Sequence, residues 1–179
     1  MYSAHGNSAQ FHGPRDGYPA IAAAGRHRTP LILGLLAGTQ VTVVLGALAL
    51  RLVTPGWMFV MLLFGGFLVV LAPIVIGAVF GGYALSKGGP AVRAGAVAAI
   101  AATDLSLLAF AATLPDITDN AADTAAPILV LGSDRHEFAS STVTVCGDIA
   151  GISAVCHLVA VATVICLGIT AMCRERRPG

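Results

Sequence analysis

A chain of 179 residues that is 56% hydrophobic and only 11% charged is not an ordinary water-soluble domain, in which about a quarter of residues carry charge; it belongs to the membrane class. A formal net charge of +1 supplies no basic field for nucleic acid, so no nucleic-acid partner is expected. Four cysteines, all within the last 34 residues and none in a C-x-x-C pair, exclude a cysteine-based metal motif.

Residues 1–29 are rich in Gly, Ala, His and Pro and lack apolar periodicity, which predicts a flexible cytoplasmic tail. Thr29 followed by Pro30 then marks a helix start, and residues 31–53 are apolar and long enough to cross a hydrocarbon core about 30 Å thick. Gly34, Gly38, Thr42 and Gly46 recur every four residues in this segment. Such a ladder predicts a face for close helix packing, because membrane helices associate through small residues and interhelical hydrogen bonds. Gln40 lies about 200° around the helix from Gly38, so a second, polar face is expected. Ala47-Leu48-Ala49 offers a competing reading as a signal-peptide cleavage site after Ala49, but the apolar run before it is too long for a usual signal.

The second predicted span, residues 57–85, would be roughly 43 Å long, so it must tilt or bend. Pro73 near its middle is the expected kink, because proline leaves the carbonyl of Val69 without its helical donor. Trp57 fits an interfacial anchor at the start of the span. The third span, residues 91–114, begins after Gly88-Gly89-Pro90 and carries Asp104 inside an Ala-rich stretch.

The connection 115–148 is the one long loop. It contains or borders Asp116, Asp119, Asp123, Asp134, Glu137 and Asp148, and its runs 128–131 (ILVL) and 141–145 (STVTV) suggest a small hairpin. The fourth span, residues 149–173, places His157 on one stripe with Ala150, Ser153, Ala154, Ala160 and Val161. Cys156, Cys166 and Cys173 on this helix are expected as small core residues, with Cys146 nearer the outer surface. Residues 174–179 form a basic tail that is expected to anchor the chain on the cytoplasmic side.

Eight basic residues fall on the side of the termini (Arg15, Arg26, Arg28, Lys87, Arg93, Arg174, Arg176 and Arg177), against Arg51 and Arg135 on the other. The positive-inside rule therefore predicts both ends in the cytoplasm. The expected architecture is an all-α integral membrane protein: a four-helix antiparallel bundle, N-in and C-in, with one extracytoplasmic loop between the third and fourth helices. Nine arginines against one lysine, with abundant Ala and Gly, suggest high-GC bacterial coding and hence the inner, or plasma, membrane of a cell.

Asp104, His157 and Gln40 fall within about one and a half helical turns of the same depth on three different spans. Polar groups there are costly unless paired, so an intramembrane cluster is expected, with Asp104 bonded to His157 and Gln40 beneath them. No G-x-S-x-G, H-E-x-x-H or Gly-rich phosphate loop occurs, so no enzyme, cofactor or metal is expected. The expected role is a non-enzymatic accessory, scaffold or envelope-associated subunit, embedded in lipid and associating with other membrane proteins or with itself. The alternative is a small transporter or channel using Asp104 and His157 as a proton or cation site.

Overall fold

The computed structural model describes residues 28–54, 56–61, 64–65, 67–116, 125–133 and 138–176. Six helices are seen among them: α1 (Arg28–Val53), α2 (Trp57–Met61), α3 (Phe67–Lys87), α4 (Pro90–Thr113), α5 (Pro127–Leu131) and α6 (Ser140–Glu175). The protein is all-helical over this range, without a strand. Three helices are long and apolar enough to cross a membrane: α1, α4 and α6. The tail 1–27, the acidic residues Asp119, Asp123, Asp134 and Glu137, and the basic residues Arg15, Arg26, Arg135 and Arg177 lie outside the described residues.

Helix α4 starts as its sequence predicts. Gly89 is the N-cap in extended conformation (φ −68°, ψ 172°), and Pro90 takes the first helical position, where its missing N–H costs nothing. The helix stops one residue before Pro115, because Leu114 is forced out of the helical region (φ −66°, ψ 115°) by the ring that follows.

The second apolar stretch departs from expectation. It is not one helix over 57–85 but α2 and α3, and between them Gly65 adopts φ +124°, a conformation that glycine tolerates and other residues avoid. Helix α3 then runs from Phe67 to Lys87 and continues through Pro73, so the second stretch is interrupted at Gly65.

The connection before the last helix is also corrected. Residues 128–131 belong to α5 and residues 141–145 to the first turns of α6, so the hairpin is absent. Pro127 sits at the first helical position of α5 and starts a helical turn there. Helix α6 begins nine residues earlier than expected, at Ser140, and its 36 residues extend roughly 54 Å, beyond a hydrocarbon core of about 30 Å.

That extension reverses the expected roles of the cysteines. Cys146 is buried, while Cys156, Cys166 and Cys173 are exposed, all four as free thiols. The buried stripe of α6 is Cys146, Ala150, Ser153, Ala160, Val161, Val164, Gly168 and Ala171, stepping by three and four residues, which is the seam of a helix packed on neighbours. Cys166 and Cys173 each follow a seam residue, Val164 and Ala171, by two positions, which turns them about 200° away from it.

Helix α6 packs along α4 and α3, and α1 lies more loosely against α4 and α3. Two buried clusters mark the ends: Ala47, Ile74, Leu107 and Ala111 towards one, and Ala84, Val92, Ala96 and Ala171 towards the other. The closest approaches occur at glycines. A Cβ on Gly168 would stand 2.8 Å from the Phe80 carbonyl oxygen, and one on Gly81 would stand 2.9 Å from Ile100 and 3.2 Å from Val164. Of the ladder on α1, Gly46 faces Leu108 at an ordinary 3.6 Å, whereas Gly34 and Gly38 have nothing within 4 Å. The small-residue packing that holds this chain together is therefore on α3 and α6, not on the predicted face of α1.

Candidate polar site within the helix bundle

The three polar residues picked out at membrane depth are brought together, but with different bonds from those expected. Gln40 on α1 donates from Nε2 to Asp104 Oδ1 on α4 at 2.6 Å. Gln40 is buried and Asp104 half-buried, so this amide–carboxylate bond ties two helices where water competes little. His157 on α6 does not bond the carboxylate. Its Nδ1 lies 3.1 Å from the backbone carbonyl oxygen of Thr103, one residue before Asp104.

Successive helical residues point 100° apart, so α4 presents Thr103 to α6 and turns Asp104 towards α1. A carbonyl oxygen only accepts, so Nδ1 must carry a proton in this contact. The Thr103 carbonyl also accepts from Ser106 Oγ at 3.0 Å, and Thr103 Oγ1 donates to the Ala99 carbonyl at 2.9 Å. Asp104 and His157 are thus neighbours across α4 without sharing a hydrogen bond.

A second polar tie was missed in the sequence. Arg51, at the last turn of α1, donates from Nη1 to the Leu114 carbonyl at 2.7 Å, and its Nη2 lies 3.5 Å from Asp116 Oδ2. Asp116 Oδ2 also accepts the Gly56 N–H at 2.8 Å, and the Asp116 N–H bonds the Ala125 carbonyl at 3.1 Å. Arg51 is 7% exposed and Asp116 2%. The carboxylate therefore joins the α1–α2 turn, the end of α4 and the approach to α5 in one buried knot. A signal was available: Arg51 closes the first span and Asp116 follows the third, which places opposite charges at one level of an antiparallel bundle.

At the opposite end, Glu175 accepts from Lys87 Nζ at 2.9 Å and from the Tyr83 hydroxyl. The Lys87 and Glu175 side chains are 53% and 48% exposed, and ion pairs so open to water are weak. Glu175→Gln is expected to leave the unfolding midpoint in detergent unchanged within error; a clear drop would show that this pair is tighter than its exposure implies.

No family model, curated protein or solved structure matches the chain. The site must therefore be read from its own chemistry. Its polar side chains connect α1 to α4, α6 to α4, and α3 to α6, each bond crossing between helices. Among the described residues there is no group of three His, Cys, Asp or Glu side chains placed to hold a metal ion.

Proposed function

We propose that this chain is a non-enzymatic accessory or scaffold subunit of the bacterial inner membrane, crossing the bilayer four times with both ends in the cytoplasm. In this reading the interrupted stretch formed by α2 and α3 is the remaining span, and the broken helix accommodates the excess length. The basic residues Lys87, Arg93, Arg174 and Arg176 then lie on the cytoplasmic side, while Arg51 and Asp116 close the outer side.

The observation that carries the reading is the open face of α1. Gly34, Leu35, Gly38, Thr39, Thr42 and Val43 line a shallow groove, and Gly34 and Gly38 have nothing within 4 Å. The Thr39 and Thr42 hydroxyls are occupied by their own helix, at 2.9 Å to the Leu35 and Gly38 carbonyls. What remains is a flat, apolar, small-residue surface of the kind on which a second membrane helix packs. Copurification from mild detergent tests the proposal directly: a partner, or a second copy, should accompany the wild-type protein and be lost with Gly38→Leu. A chain that comes out alone and monomeric in every detergent would count against it.

A second reading, a proton or cation site at Asp104 and His157, is favoured by one feature. Oδ2 of Asp104 and Nε2 of His157 carry no hydrogen bond among the described residues, although His157 bonds the carbonyl of Thr103, the residue next to Asp104. Asp104→Asn separates the readings. If the carboxylate is a structural tie, Asn still accepts from Gln40 and assembly is nearly intact, whereas Asp104→Leu costs about 0.6 to 2 kcal/mol. If it moves protons, Asp104→Asn abolishes proton-coupled flux in proteoliposomes while the protein stays folded. Wild-type vesicles without flux for any tested cation would remove the transport reading.

A further inference from the structure

The end of the bundle at which α3 stops, α4 starts and α6 stops gathers positive charge beyond what its one described carboxylate can use. Arg93 on α4 reaches back to donate from Nη2 to the Ser86 carbonyl at 3.3 Å. Arg174 on α6 places Nη1 3.8 Å from where a Cβ on Gly89 would be, and apart from Gly88 and Pro90 nothing else described comes within 4 Å of that point. Two guanidinium groups from different helices thus border the single turn Ser86–Gly89. Glu175 is the acidic side chain at this end among the described residues, and it is already held by Lys87 and the Tyr83 hydroxyl. Among the described residues Arg93 and Arg174 have no carboxylate partner, and both are exposed.

The backbone adds to the same charge. Gly89 caps α4 without a side-chain hydrogen bond, Pro90 has no N–H to offer, and the positive end of a 24-residue helix opens onto the turn. The missing Cβ at Gly89 leaves room for an anion to approach the turn beside Arg174. The location is equally specific: apolar helices end here at Lys87 and Glu175 and begin at Pro90, which is the level where hydrocarbon gives way to headgroups.

We propose that Arg93, Arg174 and the Ser86–Gly89 turn bind the phosphate of an anionic lipid headgroup. Guanidinium groups match phosphate oxygens in a fork, and a headgroup bearing only the phosphate charge suits a site with two unpaired cations. A zwitterionic headgroup brings its own ammonium next to Lys87, Arg174 and Arg176, which opposes binding. The inference goes beyond the scaffold proposal and does not depend on the face of α1.

Native mass spectrometry of the full chain in mild detergent tests it, with phosphatidylglycerol, phosphatidylcholine or inorganic phosphate as the probe. Phosphatidylglycerol should bind at least fivefold more tightly than phosphatidylcholine. Each of Arg93→Gln and Arg174→Gln should weaken it about fivefold, and the pair roughly twenty-five-fold, at about the strength known for a basic residue beside an anionic surface. The charge-keeping pair Arg93→Lys and Arg174→Lys should recover most of the binding, which a merely misfolded variant would not. Equal binding of the two lipids, an unchanged affinity in the double glutamine variant, an equal loss in the lysine pair, or inorganic phosphate competing as well as the lipid would each overturn the proposal. Partner copurification should be unaffected by these variants, so its failure and the failure of the lipid site are read separately.

Discussion

Arg51→Leu, with Asp116 left in place, is expected to destabilise the folded protein by about 3 to 5 kcal/mol, measured by unfolding in mixed detergent micelles. The side chains of this pair are 8% and 3% exposed, so water cannot take over the solvation of the carboxylate when the guanidinium is removed. The loss also frees the Leu114 carbonyl, which accepts from Arg51 Nη1 at 2.7 Å at the point where α4 ends. The pair itself is not an efficient source of stability. Its ion contact is a long 3.5 Å, and Arg51 Nη2 is buried without a hydrogen-bond partner. Replacing both residues, as in Arg51→Met with Asp116→Leu, should therefore cost much less than either single change. A residual loss of about 1 kcal/mol is expected, because the Gly56 N–H loses its 2.8 Å bond to Asp116 and keeps the Thr54 carbonyl at 3.1 Å. If the single and double variants were equally unstable, the knot would be holding the chain through shape and not through charge.

Gly168→Ala should cost about 1 to 3 kcal/mol in the same assay, a large effect for one methyl group. The added carbon would lie 2.8 Å from Phe80 Cβ, Cδ1 and carbonyl oxygen, and a backbone oxygen cannot rotate away as a side chain can. Helices α3 and α6 would have to separate, widening the close approach of Val164 to Gly81 as well. Gly38→Ala provides the contrast, since nothing lies within 4 Å of that site and alanine is the better helix former. It should leave the isolated chain unchanged or slightly more stable. A Gly168→Ala protein as stable as wild type would mean that α3 and α6 do not meet as closely as these distances state.

The difference between these two glycines shows where sequence reasoning reached and where it stopped. The four-residue ladder of Gly34, Gly38, Thr42 and Gly46 is conspicuous in the chain, yet of its glycines only Gly46 has another helix close by, at Leu108. Gly168 and Gly95 form no comparable ladder, yet a Cβ added to them would stand 2.8 Å from Phe80 and 3.3 Å from Leu167. Spacing along one helix says that a flat face exists; it does not say whether another helix lies on it. The polar groups behaved similarly. Depth alone placed Asp104, His157 and Gln40 at one level, and they are neighbours. The rotation of α4 then assigned Asp104 to Gln40 and the Thr103 carbonyl to His157, an allocation that 1.5 Å of rise per residue cannot reveal.

Composition and apolar length by themselves determined that the chain is helical and contains membrane-crossing segments, because a bilayer admits few ways to satisfy the backbone and helices are the local one. Local chemistry likewise determined the start of α4 at Gly89-Pro90 and its end before Pro115, since both depend on the φ angles of adjacent residues. Tertiary structure decided the rest: the break at Gly65, the early start of α6 that buries Cys146, and the joining of Arg51 to Asp116 across 65 positions of the chain. These features depend on which surfaces meet, and that is set by the packing of whole helices, not by any residue's immediate neighbours.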